Sequence, residues 1–337
     1  MPARARPWDA RMLNENIGTI ILDCNWCYDR RLLQTLSLDI LSKNRNKNNP
    51  QNMINPTALI TDSTCDIPQA MINQYGITII PLGVIWGNEL LHDRVDLTPE
   101  EFYRRLEVDP VWPTSTLPSP DDFEKVYRDA IVKGAKEIVM MTVSSAMSGT
   151  FQLADQVGKH MDVPVHVVDS KGPTMSLGWQ VLAAARIREM GGSAAKMIEA
   201  AAGVREKLVQ IVCLDTLEYL HRGGRIGNAT RFIGSLLDIK PLVEINHKSG
   251  LVEFCGQART RKKSIETLVS HFFEKLSPEK PKRVAVLHGE ALPEAQALAD
   301  RIKKEYNPLE LLVNITGPVL GIHTGPRALA LCGYTEE

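Results

Sequence analysis

The chain has 337 residues, 44% of them hydrophobic and 23% charged, with a formal net charge of −1. That composition supplies a full globular core, and so small a net charge leaves no electrostatic footprint for nucleic acid or an anionic membrane. No apolar run reaches the roughly 18 residues that mark a bilayer span, so stable membrane insertion is not expected.

The first 52 residues differ from the rest. They hold eight Lys/Arg against five Asp/Glu, a local +3, while the remainder carries −4. Ser42 to Asn55 is asparagine-rich and contains Pro50, a linker-like or disordered composition. Residues 1–55 therefore read as an N-terminal extension, either disordered or a start-site artefact with Met53 as the initiator. Of the six cysteines, only Cys24 and Cys27 stand close together. Scattered thiols suit a reducing cytoplasm, the expected location. The Cys24–Cys27 pair lacks two further zinc ligands and a surrounding βαβ unit, so incidental thiols are the expected reading.

From Thr57 the pattern alternates. A strand over Thr57–Ile60 runs into Thr61 to Asp66, with Pro68 opening a helix over Gln69–Tyr75. Asp62 and Asp66 are expected to cap that helix rather than to bind metal. A second strand spans Ile77–Leu82. Helices follow over Pro99–Leu106, capped by Thr98, and Pro120–Lys133, opened by Ser119. Strands at Ile138–Val143 and Val165–Val168 precede helices at Leu177–Met190 and Ala194–Leu208. Short β-branched strands separated by helices predict a parallel sheet flanked by helices.

The texture then changes. A strand at Gln210–Leu214 is followed by a basic turn at Arg222 to Arg225 and a helix over Arg231–Leu237. Pro241–Asn246 and Leu251–Cys255 form a hairpin around Lys248-Ser249-Gly250. A helix at Lys262–Leu276, a strand at Arg283–His288, a helix at Pro293–Glu305 and a strand at Leu309–Ile315 complete the series. The fold class is α/β. Two domains are expected, residues 56–210 with a parallel sheet and residues 211–337 with a mixed sheet.

The chemistry concentrates where the apolar run Ile138–Val143 ends in Ser144, Ser145, Ser148, Gly149 and Thr150, with a helix-compatible stretch from Phe151. Hydroxyls beside a helix start at the carboxyl end of a parallel strand make an anion site. The absence of a lysine points to a small, weakly charged acid. These serines have a plainer use as helix caps. Phosphate-loop, dinucleotide-binding, nucleophile-elbow and metalloprotease motifs are absent. A serine nucleophile with His323 as base stays open as the alternative, an acyl hydrolase or transferase. Met140, Met141 and Met147 either line a ligand tunnel or fill the core, and core is the expected reading.

Taken together, the motifs resemble the DegV family. Those that match are Ile60 to Pro68, Pro113 to Pro120, Ser144 to Gln152, Val168-Asp169-Ser170, Leu217 to Ile226, Ile239-Lys240-Pro241, Ala258 to Arg261 and His323 to Pro326. Their order and spacing hold from about residue 56 to the end. The resemblance implies two α/β domains with an acyl chain buried between them. It implies a protein that binds a long-chain fatty acid and presents the carboxylate to a separate fatty acid kinase catalytic subunit, which makes the acyl phosphate for phospholipid metabolism. It implies no cofactor and no catalytic residue on this chain. By motif position the carboxylate-binding hydroxyls fall on Ser115 and Ser148, with Thr114, Thr116, Ser144, Ser145 and His323 in support. Arg225 and Arg259 fall where the family engages its kinase partner.

Physical chemistry agrees with that arrangement. A carboxylate leaving water needs several donors or it neutralises. Without an arginine clamp it stays nucleophilic, and affinity then comes from the tail. About 15 methylenes contribute on the order of 12 kcal/mol gross, less the ordering and other binding costs. One departure stands out. Arg327 follows Pro326 where the family carries glycine, so a positive φ there would strain it and its charge would bear on the pocket.

Overall fold

The structure is a computed structural model and describes residues 56–232 and 239–336. The expectations for residues 1–55, including Met53 and the Cys24–Cys27 pair, lie outside the described residues. So does most of the helix expected over Arg231–Leu237; a 3-10 turn at Gly227–Phe232 leads up to it.

The first sheet is all parallel, in the order β2-β1-β6-β7. Its strands are β1 (Thr57–Asp62), β2 (Thr78–Ile80), β6 (Glu137–Thr142) and β7 (Val165–Asp169). The run Ile138 to Thr142 is buried throughout, as strands covered by helices on both faces must be. Capping sets the helices beside it. Thr98 and Glu101 form a reciprocal capping box at α2 (Pro99–Val108), and Ser119 and Asp122 form another at α3 (Pro120–Val132).

The expected architecture, a parallel sheet and a mixed sheet flanked by helices, is what is observed. The second sheet runs β10-β9-β8-β13-β11-β12. It combines β8 (Val209–Cys213), the hairpin β9 (Lys240–Asn246) and β10 (Leu251–Ala258), β11 (Lys282–His288), β12 (Glu310–Ile315) and β13 (Leu329–Thr335). Three features were not anticipated. A small antiparallel sheet joins β3 (Gly83–Trp86), β4 (Glu89–His92) and β5 (Thr114–Thr116), so the Thr/Ser loop is itself a strand. A short helix, α10 (Pro318–Thr324), precedes β13, and β13 sits at the centre of the second sheet, between β8 and β11.

One buried cluster spans both large sheets. It runs from Leu59, Val139 and Met141 through α5 (Met175–Glu189) to Val212, Leu214 and Ala330. Helix α5 is buried on nearly every side from Met175 to Ala185, a stretch that is mostly apolar, with Ser176 and Gln180 as its buried polar residues. Trp179 Nε1 donates to Cys332 O at 3.2 Å. The described residues form one compact unit.

The loop after β1 acts as a clasp rather than as the expected helix cap. Asp62 accepts from the Val143 N–H at 2.7 Å and from Thr64 N at 3.0 Å, joining the ends of β1 and β6. Asp66, left-handed at φ 48°, accepts from Gly317 N at 3.0 Å and pairs with Arg94. Arg94 donates onward to Ile315 O at 2.9 Å, and Asn314 Nδ2 donates to Asp66 O at 2.8 Å. Asp62 thus ties β1 to β6, and Asp66 fastens the loop after β1 to the β12–α10 segment. Burial pushes the Asp62 carboxyl up to about 6 and that of Asp93, which accepts from Ser63, up to about 7. Among the described residues, no group of three or more His, Cys, Asp or Glu is placed to hold a metal ion.

Candidate ligand-binding site

A cavity of about 200 Å³ lies between the two large sheets, and most of its lining is apolar. Its floor follows from strand alternation. In β8 and just beyond, Gln210, Val212 and Leu214 face the cavity, while Ile211 and Cys213 pack into a separate cluster behind the sheet. In β13 and just before it, Ala328 and Ala330 face the cavity, while Leu329 and Leu331 face away. Ala330 pairs with Val212, and Val212 pairs with Val243 on β9. The floor therefore runs from Leu214 and Ala328 at one end to Gln210 and Ile245 at the other.

Polar side chains converge at the Leu214–Ala328 end. Ser115 lies opposite Val84 in the β3–β5 pairing and shares its inward face. Its Oγ is 3.0 Å from His323 Nε2. Ser148 comes from the turn before α4 (Thr150–Gly158). Its Oγ lies 2.7 Å from Thr150 Oγ1 and accepts from Thr150 N at 3.3 Å. Arg225 closes this end. Its Nε donates to Met147 O at 3.0 Å and its Nη1 to Gly223 O at 2.6 Å. Arg225 and Leu117 are exposed while lining the cavity, which makes this end the mouth.

His323 is held without an acid partner. Burial, with the nearby Arg225 guanidinium, drives its imidazole down to about 4, so it is neutral at physiological pH. Its Nδ1 is buried and unpartnered. Gly223 makes that placement possible, because a Cβ there would stand 2.1 Å from His323 Nδ1.

Of the candidate carboxylate-binding and partner-engaging residues, the structure brings Ser115, Thr116, Ser148, Arg225 and His323 to the cavity and leaves Thr114, Ser144, Ser145 and Arg259 elsewhere. Thr114 is exposed on the outer face, opposite Ile85. Ser144 Oγ donates to Gly250 O at 2.8 Å, clipping the tip of the β9–β10 hairpin to the serine loop. Ser145 receives a hydrogen bond from Lys171 Nζ at 3.4 Å, and its N–H donates to Asp169 Oδ1 at 3.1 Å. Arg259 is exposed at the junction of β10 and the following helix, α8 (Arg261–Glu274). Met140 and Met141 are core residues as expected, and Met147 packs against the core while also lining the cavity. Arg327 does take a positive φ of 60°. Its side chain turns to Asp215 at 3.4 Å and Glu294 at 3.9 Å and does not line the pocket.

Five polar lining residues were not among the candidate site residues: Thr64, Thr174, Gln210, Thr316 and Thr324. Thr64 and Thr324 lie inside matching motifs, and Gln210 left a trace as a lone glutamine inside the apolar strand Val209–Cys213.

Residues 56–336 match the family described as "Uncharacterised protein, DegV family". The chain belongs to the DegV family. A DegV domain-containing protein of Clostridium acetobutylicum is 34% identical over 275 residues, covering 81% of this chain and 97% of its own. A DegV family protein from Thermus thermophilus, whose structure concerns fatty acid binding, superposes with a TM-score of 0.78 at 32% identity, covering 83% of this chain and 99% of its own. DegV of Bacillus subtilis, a fatty acid binding protein, superposes at 0.77 with 29% identity, over 83% and 99% of the two chains. DegV structural neighbours thus bind fatty acids. Among the described residues, no helix is long and apolar enough to cross a membrane.

Proposed function

We propose that this DegV protein binds a long-chain free fatty acid in the cavity and presents its carboxylate to a separate kinase subunit. The observation that carries the reading is an apolar cavity whose solvent-facing end gathers Ser115, Ser148, neutral His323 and Arg225. Hydroxyls and a neutral imidazole donate to a carboxylate without quenching it, so an oxygen stays free to attack a phosphoryl group. In that step the oxygen–phosphorus bond forms as the phosphoryl group leaves its nucleotide, giving an acyl phosphate. Arg225, exposed at the mouth, and the exposed Arg259 are proposed to engage the kinase. The protein itself is proposed to contribute no catalytic residue.

The Ser115–His323 contact bears on the alternative, an acyl hydrolase or transferase. A serine nucleophile needs a base that gains a proton near neutral pH and a third group that orients it. A His323 pKa of about 4 and an unpartnered Nδ1 supply neither. This favours the carrier.

Native mass spectrometry of the purified protein tests the reading. A retained long-chain fatty acid is expected. An empty protein that turns over acyl esters would reverse it. Ser115→Ala combined with Ser148→Ala should weaken fatty acid binding by about tenfold or more, since a hydrogen bond to a charged group contributes about 1.5–3 kcal/mol. It should also abolish acyl phosphate formation with the kinase.

A further inference from the structure

We propose that the closed end of the cavity is a second polar subsite, and that the protein accepts a fatty acid carrying a hydroxyl at or near its ω carbon. The proposal rests on the fatty-acid reading above and adds the class of tail.

The floor ends at Gln210 and Ile245, at the opposite end of β8 from the mouth. Thr174 lines the same cavity as Gln210 and stands two residues before Ser176, whose hydroxyl donates to Gln210 Oε1. Thr174 is 5% exposed, yet its Oγ1 has no hydrogen-bond partner. Its backbone sits at φ 54° and ψ −138°, a region that a β-branched residue rarely occupies.

Gln210 is held from behind. Ser176 Oγ is 2.8 Å from His247 Nε2, and His247 borders a polar cleft that shares Gln210 and Ile245 with the cavity. The cavity therefore ends against a hydrogen-bonded wall rather than an apolar one. A plain methyl terminus there leaves the Thr174 hydroxyl unpaired and dry. A distal hydroxyl gives it a partner and lets Gln210 join. An apolar end would instead reject such a group, because burying a hydroxyl without a partner is costly.

The test uses delipidated full-length protein. Affinities are measured for saturated acids from dodecanoic to octadecanoic and for their ω-hydroxy counterparts. At the chain length that reaches the wall, the ω-hydroxy acid is expected to bind at least as tightly as the plain acid. Thr174→Val should weaken the ω-hydroxy acid by about tenfold, the loss expected for one buried hydrogen bond, and leave the plain acid unchanged or tighter. Thr174→Ser should keep the wild-type pattern. If ω-hydroxy acids bind more weakly at every length, by the same factor in wild type and Thr174→Val, the end holds only water and the proposal fails. The wild-type series decides even if a variant does not fold. If plain acids also fail to bind, the fatty-acid reading falls, and this proposal with it.

Discussion

At the scale of single residues, His323 is shaped by what it lacks. A histidine this deeply buried with no carboxylate beside it is neutral, and its pKa sits below the ordinary value of 6.5. Between about 4 and 6.5 the unfolded chain binds a proton at this ring that the folded protein does not, so stability falls as pH drops through that window. His323→Gln should remove this part of the acid sensitivity, read as the difference in unfolding free energy between variant and wild type from pH 4 to 7. Gly223 offers a sharper test. An added methyl would meet the ring at 2.1 Å. Gly223→Ala should displace His323 from Ser115 and weaken fatty acid binding at least about tenfold, with little change in the circular dichroism of the fold. Ser115, Ser148 and His323 were legible as motif positions. Thr174 was not, because its importance lies in a backbone conformation and an orphaned hydroxyl that no local pattern encodes. Ser144 and Ser145 stood in sequence as supports beside Ser148; the path of the turn gives them structural partners instead.

At the scale of elements, the clasp between β1 and the β12–α10 segment is the fastening most open to attack. Asp66 is fully buried and its charge is met by Arg94. Arg94→Met should leave that carboxylate unpaired and cost about 3–5 kcal/mol, as breaking a buried ion pair does. Chemical denaturation would show it as a lower midpoint with an unchanged slope. Helices were readable wherever a cap preceded an amphipathic run, as at Thr98 and Ser119. Strand β13 was not readable. Its sequence, Leu329 to Thr335, mixes small residues with Gly333, and what makes it a central strand is antiparallel pairing with the distant β8 and β11. The β3–β4 hairpin was missed for a similar reason. It is brief, follows Pro81, and gains its inward face, Val84 and Trp86, only when α2 and α10 cover it.

At the scale of the whole molecule, the buried cluster that runs from the parallel sheet through α5 to the mixed sheet surrounds the cavity on both sides. Its residues include Val212, Leu214 and Ala330, which face the ligand space directly. On the proposed reading, a bound acyl tail would be the last segment of the core, contributed by another molecule. Cargo and fold should melt together: ligand at a hundred times its dissociation constant should add about 2.7 kcal/mol to stability. The melting temperature then becomes a ruler for the tail. It should climb as methylenes are added, at about 0.8 kcal/mol of gross burial each, and stop climbing at the length where the chain meets Thr174 and Gln210.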